Sequence, residues 1–157
     1  MKKLILDACC GMREFWFNKK HPNTIYMDIR TEEKGFCKLR PNADLVPDIV
    51  ADFRNMPFPD NSFKLIIFDP PHLSNLVETS QFRHLYGQLN KKTWREDIKK
   101  GFDECLRVLE DYGTLIFKWS ATDIKRKELL EVIVQEPLFG HKTIKNTIWF
   151  TFMKIPK

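Results

Sequence analysis

Five short apolar runs constrain this chain most: Leu4–Leu6, Thr24–Met27, Ile49–Ala51, Lys64–Phe68 and Thr114–Lys118. Four of them stop at an aspartate (Asp7, Asp28, Asp52 and Asp69), and the fifth runs into Trp119. Apolar residues on consecutive positions suit strands covered on both faces, as in a parallel sheet between layers. Between the fourth and fifth runs, Trp94, Ile98, Phe102, Leu106 and Leu109 recur at four- and three-residue steps, the stripe of one helix. Thr93-Trp94-Arg95-Glu96 reads as a capping box at its start and Gly113 as its stop. A second helix is expected from about Asp123 to Val134, ended by Pro137, and Phe139–Ile144 with Thr147–Met153 reads as a hairpin about Lys145-Asn146. Residues 29–47 are turn-rich and read as loop or short helix. The expected fold is therefore α/β: a doubly wound, mostly parallel sheet with right-handed crossovers and an antiparallel C-terminal hairpin.

At 157 residues, without repeats or Gly/Ser linkers, the expectation is a single domain over 1–157. No apolar run approaches the ~18 uncharged residues of a membrane span, so no membrane partner is expected. The carboxylate of Asp7 comes too early for a secretory apolar core, which makes the cytoplasm the expected location. The net charge of +5 is mild, and residues 118–157 carry eight basic against four acidic side chains. Such a bias suits weak attraction to polyanions, and surface solvation explains it about as well. Cys9, Cys10, Cys37 and Cys105 form no C-x-x-C pair and have no histidine at zinc spacing; free buried thiols and no metal are expected.

In an open α/β sheet, ligands bind beyond the carboxyl ends of the strands. One aspartate there is ordinary, since Asp suits turns and helix starts. Four in succession crowd like charges at one edge, an arrangement that a ligand with several donors would relieve. Asp7-Ala8-Cys9-Cys10-Gly11 holds a single glycine where a pyrophosphate-binding turn would show three, so a dinucleotide cofactor is disfavoured. Asp28 stands where an acid can accept from ribose hydroxyls. Asp52 and Phe53 suit an adenine edge and face, although core packing accounts for Phe53 equally well.

Asp69-Pro70-Pro71-His72 is the most informative tetrapeptide. Two prolines fix φ and remove two backbone donors, leaving carbonyls free to accept. The Asp69 carboxylate and the Pro70 carbonyl would take the two N–H bonds of an amino group, Pro71 would stiffen the turn, and the His72 ring would stack on a base. Ser74–Lys92, with Phe82, Arg83, His84, Tyr86, Lys91 and Lys92, reads either as a substrate lid or as a solvated loop. Trp119 either caps the pocket or belongs to the core.

Together, D-x-x-x-G, the acids at strands two and three, and D-P-P-H resemble class I S-adenosyl-L-methionine-dependent methyltransferases, over the whole stretch from Leu4 to Met153. The nearest likeness is to small, prophage-type methyltransferases, through Leu6–Gly11, Pro57–Phe63 and Ile66–Leu73. The resemblance implies a Rossmann-like sheet and S-adenosyl-L-methionine as cofactor, with Asp7, Cys10 and Gly11 at the methionine end, Asp28 at the ribose, Asp52 and Phe53 at the adenine, and Asp69 beside the methyl group. D-P-P-H is similar to the (D/N)-P-P-aromatic signature of amino-methyltransferases, with His72 in place of the aromatic residue. It implies catalytic roles for Asp69, Pro70, Pro71 and His72, and a DNA or RNA base as acceptor. Without a target-recognition domain, a partner protein or a second copy of the chain would supply recognition. Two other readings stay open: the same fold acting on a protein or small molecule, and a non-catalytic module that binds nucleic acid or a partner.

Overall fold

The short apolar run around Leu6 acquires strand partners on both sides, and this decides the topology. In the computed structural model, which describes residues 3–142 and 146–156, β1 (Ile5–Asp7) pairs in parallel with both β2 (Thr24–Asp28) and β4 (Phe63–Phe68). Beyond β2 lies β3 (Ile49–Val50); beyond β4 lies β5 (Leu109–Ser120), followed by antiparallel β7 (Thr147–Met153) and β6 (Phe139–Lys142). The sheet order is β3-β2-β1-β4-β5-β7-β6. The chain thus runs outward from β1 to β3 and returns on the other side of β1 as β4. That reversal makes the carboxyl ends of β1 and β4 the place for a ligand. The expected α/β class, with a mostly parallel sheet and an antiparallel closing hairpin, is the observed one.

Among the described residues helices follow only after β4: α1 (Gln81–Tyr86), α2 (Trp94–Val108) and α3 (Arg126–Ile133). Among the described residues the connections from β1 to β4 carry turns instead, because they lack a repeating apolar step. Side chains hold these turns. Arg13 donates to Lys19 O at 2.7 Å and to Val46 O at 2.9 Å while lying over the Tyr26 ring. No described helix is long and apolar enough to cross a membrane.

The α2 stripe faces the sheet as its periodicity requires. Trp94, Ile98, Phe102, Cys105 and Val108 are buried, and Phe102 meets Phe117 and Phe152 at ring distances of 6.2 and 5.1 Å. Each such burial stabilises by about 1.5–3 kcal/mol. Its ends differ from expectation. Thr93 makes no cap bond; its hydroxyl donates to Asp97 Oδ2 at 2.7 Å, and Glu96 pairs with Lys100 at 2.8 Å, so there is no capping box. The helix passes directly into β5 at Leu109, and Gly113 lies inside that strand, where three extra residues bulge it against β4. Similarly, α3 begins at Arg126 rather than Asp123, because the Asp123 carboxylate accepts from Ser74 N at 2.8 Å. Ile144 and Lys145 of the expected hairpin lie outside the described residues.

Candidate functional site

A cavity of about 520 Å³ opens at the reversal between β1 and β4, within the usual range for small-molecule sites of roughly 300–1,000 Å³. The Cys9–Met12 turn and the Asp69–Leu73 segment line it, with Lys118 and Ser120 from β5 and Phe82, Leu85 and Tyr86 from α1. The β1 turn is pinned from both sides: Ala8 N donates to Ile67 O (2.9 Å) and Cys10 N to Met27 O (2.8 Å). Gly11 takes a φ of +48°, and a Cβ there would meet nothing within 4 Å, so its backbone borders open space.

The four aspartates divide. Asp7 is fully buried; Trp16 Nε1 donates to its Oδ2 at 2.7 Å, while Oδ1 is buried without a partner. Burial, opposed by the Trp16 bond, pushes its pKa up to about 7. Asp69 lines the cavity and pairs with Lys118, Nζ to Oδ2 at 2.6 Å. Burial raises its pKa and the Lys118 charge opposes that rise. Asp28, by contrast, is occupied: Oδ2 accepts from Gly11 N (2.9 Å) and Oδ1 from Arg30 N (3.0 Å). It thereby ties the β1 turn to the end of β2. Asp52 lies off the cavity wall, clasped by Arg54 at 2.6 Å, and that bond holds its pKa below the ordinary value. Phe53 also lies off the wall, edge-on to Phe68 at 5.3 Å and beneath Gly101 of α2.

Pro70, Pro71 and His72 all line the cavity. The His72 ring meets Trp119 edge-to-face at 6.3 Å, and burial, with Lys118 nearby, lowers its pKa, so the ring is uncharged at neutral pH. Trp119 itself is wholly buried, its Nε1 donating to Ile124 O at 3.1 Å, and it belongs to the core. Cys10 lines the cavity, but burial raises the thiol pKa values of Cys9 and Cys10, removing both as nucleophiles at neutral pH. Among the described residues no group of three or more His, Cys, Asp or Glu side chains is set to hold a metal ion.

Sequence reasoning missed two cations. Lys118 looked like the polar end of a strand, yet its ammonium sits against Asp69 with the Phe15 and Trp149 rings at 5.7 and 5.8 Å. A lysine inside an otherwise apolar buried strand was the available signal. Arg30 straps α1 to the end of β2, donating to His84 O at 2.9 Å and Leu85 O at 3.3 Å. No sequence signal marks that contact, since its partners are backbone carbonyls.

A sheet reversing at β1/β4 and closing in an antiparallel hairpin defines the class I methyltransferase fold, and solved structures with the same architecture are numerous. An S-adenosylmethionine-dependent methyltransferase of Methanosarcina mazei superposes with a TM-score of 0.55 at 12% identity, covering 100% of this chain and 95% of that one. One from Mesorhizobium loti gives 0.56 at 13% identity, covering 96% and 90%. The antibiotic-resistance methyltransferase Kmr gives 0.51 at 15% identity, covering 98% and 87%. No protein-family model matches the chain. No curated protein matches it either.

Proposed function

We propose that this chain is an S-adenosyl-L-methionine-dependent methyltransferase acting on an exocyclic amino nitrogen of a nucleic-acid base, in RNA or DNA. The observation that carries the reading is that the β1 turn and Asp69-Pro70-Pro71-His72 line one cavity at the sheet reversal. The residues present fit the cofactor there. The open face of Gly11 admits an amino-acid moiety, and the buried, unpartnered Oδ1 of Asp7 is an acceptor suited to an ammonium group or to a water that it binds. Cys10 and Gly11 would hold that end of the cofactor, and Asp28 would brace their turn through Gly11 N. Asp52 and Phe53, past the end of β3, stay off this wall. When bound, the cofactor supplies a methyl group already activated on sulfonium.

What remains for the protein is alignment and exclusion of water, which alone are worth about 7–11 kcal/mol where geometry is well held. Lys118 donates to Asp69 Oδ2 and opposes the rise that burial imposes on the pKa of this cavity-facing carboxyl. An acceptor amine donates its N–H bonds to Asp69 and to the Pro70 carbonyl, which directs its lone pair toward the methyl donor. Uncharged His72 forms the wall against which the acceptor base packs. The amine proton leaves after transfer, so no general base is assigned.

Calorimetry with S-adenosylhomocysteine, followed by transfer of a tritiated methyl group to RNA, DNA, protein and small amines, tests this. Binding with label on nucleic acid is the expected result. Absence of product binding refutes the enzyme in favour of a binding module; label only on protein or small amines refutes the nucleobase acceptor.

A further inference from the structure

Helix α1 separates two cavities. On the first it presents Phe82 and Tyr86, whose rings stack at 6.4 Å with 20° between planes while 55% and 41% exposed. On the other side a cavity of about 590 Å³ is lined by Arg83 and His84 of the same helix together with Arg30, Glu32, Gln88 and Lys91. Arg30 is spent on the α1 carbonyls and on Asp28. Among the described residues the side chains of Arg83 and Lys91 make no ion pair or hydrogen bond, and Glu32 is the one carboxylate on that lining.

A second observation joins the charges. Gln88 lines this cavity, its Nε2 donating to Ser74 O at 3.3 Å, while its Oε1 is buried with no partner. A buried acceptor without a donor costs about 1–3 kcal/mol, recovered when a ligand brings one. Unpaired cations ask for phosphate and the orphan oxygen asks for a hydroxyl or amino group, so the matching ligand carries both. A nucleotide does.

We propose that the second cavity is a nucleotide subsite, in which single-stranded nucleic acid crosses α1 with its phosphates on Arg83 and Lys91. A sugar or base donates to Gln88 Oε1, and a neighbouring base stacks on the exposed Phe82–Tyr86 pair at the mouth of the first cavity. This deepens the substrate class and rests on the reading of the first cavity as the acceptor site. Aromatic platforms flanked by cations hold single strands without needing a duplex opened.

The test is fluorescence anisotropy with a labelled single strand of about 12 nucleotides, in RNA and DNA forms, across a salt series. Arg83→Gln with Lys91→Gln is expected to weaken binding about tenfold and to flatten the salt dependence by about 1.4, or 0.7 per phosphate released. Lys127→Gln on exposed α3 is expected to do neither, and Phe82→Ala is expected to weaken binding with the salt slope unchanged. Affinity for S-adenosylhomocysteine should stay at the parent value in the Arg83→Gln/Lys91→Gln and Lys127→Gln variants. A parent that binds neither strand, or a double variant with parental affinity and slope, overturns the subsite. Strand binding is read without methyl transfer, so failure of the enzyme reading shows separately, as lost product binding or absent methyl labelling in the parent.

Discussion

At the edges of β1 and β4, Asp7 keeps a buried oxygen without a donor and Asp69 leans into a cavity on a single lysine. At the edges of β2 and β3, Asp28 and Asp52 are saturated by the chain itself, through Gly11 and Arg30 in one case and Arg54 in the other. Aspartates that end or closely follow four parallel strands therefore do two kinds of work. Saturated carboxylates fix loops; under-partnered ones hold a capacity for ligand donors. The division falls at the sheet reversal, where no crossover covers the strand ends.

The largest effect expected from breaking this contrast is at Asp69. Asp69→Ala removes the acceptor for the amine and is expected to cost on the order of 10³ in turnover, about 4 kcal/mol. Affinity for S-adenosylhomocysteine should stay within about twofold by calorimetry, since the β1 turn is untouched. Turnover near the parent value would show that Asp69 serves only Lys118.

Asp7 offers a stability test with a sign. In the folded chain it keeps its proton up to about pH 7, against 3.8 for an ordinary aspartate. Between those values the folded state binds a proton that the unfolded state lacks, so stability falls as pH rises from about 4 to 7. At about 1.4 kcal/mol per unit the loss is a few kcal/mol. Asp7→Asn keeps an acceptor for Trp16 and cannot ionise. Thermal melts should show its advantage over the parent growing from pH 4 to pH 8; parallel melting curves across that range would contradict an unrelieved buried carboxylate.

Lys118→Met sharpens the reading of Asp69 itself. Without the ammonium, burial raises the Asp69 pKa unopposed, so the acidic limb of the pH–rate profile moves to higher pH. Turnover at pH 7 is expected to fall about tenfold and to recover in part on the alkaline side. A profile lowered equally at every pH would make Lys118 a packing residue.

Much of this was legible in the sequence, for reasons particular residues make plain. Consecutive apolar runs bounded by aspartates mark buried parallel strands, and the Trp94–Val108 stripe marks α2, because burial imposes these periods locally. Asp69-Pro70-Pro71-His72 was readable because proline limits what the backbone can do. What escaped depends on distance along the chain. The pairing of Lys118 with Asp69 spans 49 residues and that of Arg54 with Asp97 spans 43, so no local pattern distinguishes a free carboxylate from a clasped one. The capping box at Thr93 failed for a related reason: Asp97, one turn on, competes for the same hydroxyl.

The smallest effect separates the two saturated acids. Asp28→Ala strands the Gly11 and Arg30 amide donors in a nearly buried position, a cost of about 1–3 kcal/mol. It also frees the turn that lines the cavity, so S-adenosylhomocysteine affinity should fall along with stability. Asp52→Ala removes a partly exposed pair with Arg54, and Asp97 still holds that arginine at 2.8 Å. Its cost should stay below about 1 kcal/mol, with product affinity changed less than twofold. Denaturant melts and calorimetry on both variants measure the difference. If Asp52→Ala instead weakens product binding as much as Asp28→Ala, Arg54 gives up its clasp when the nucleoside arrives, and the third strand joins the binding edge.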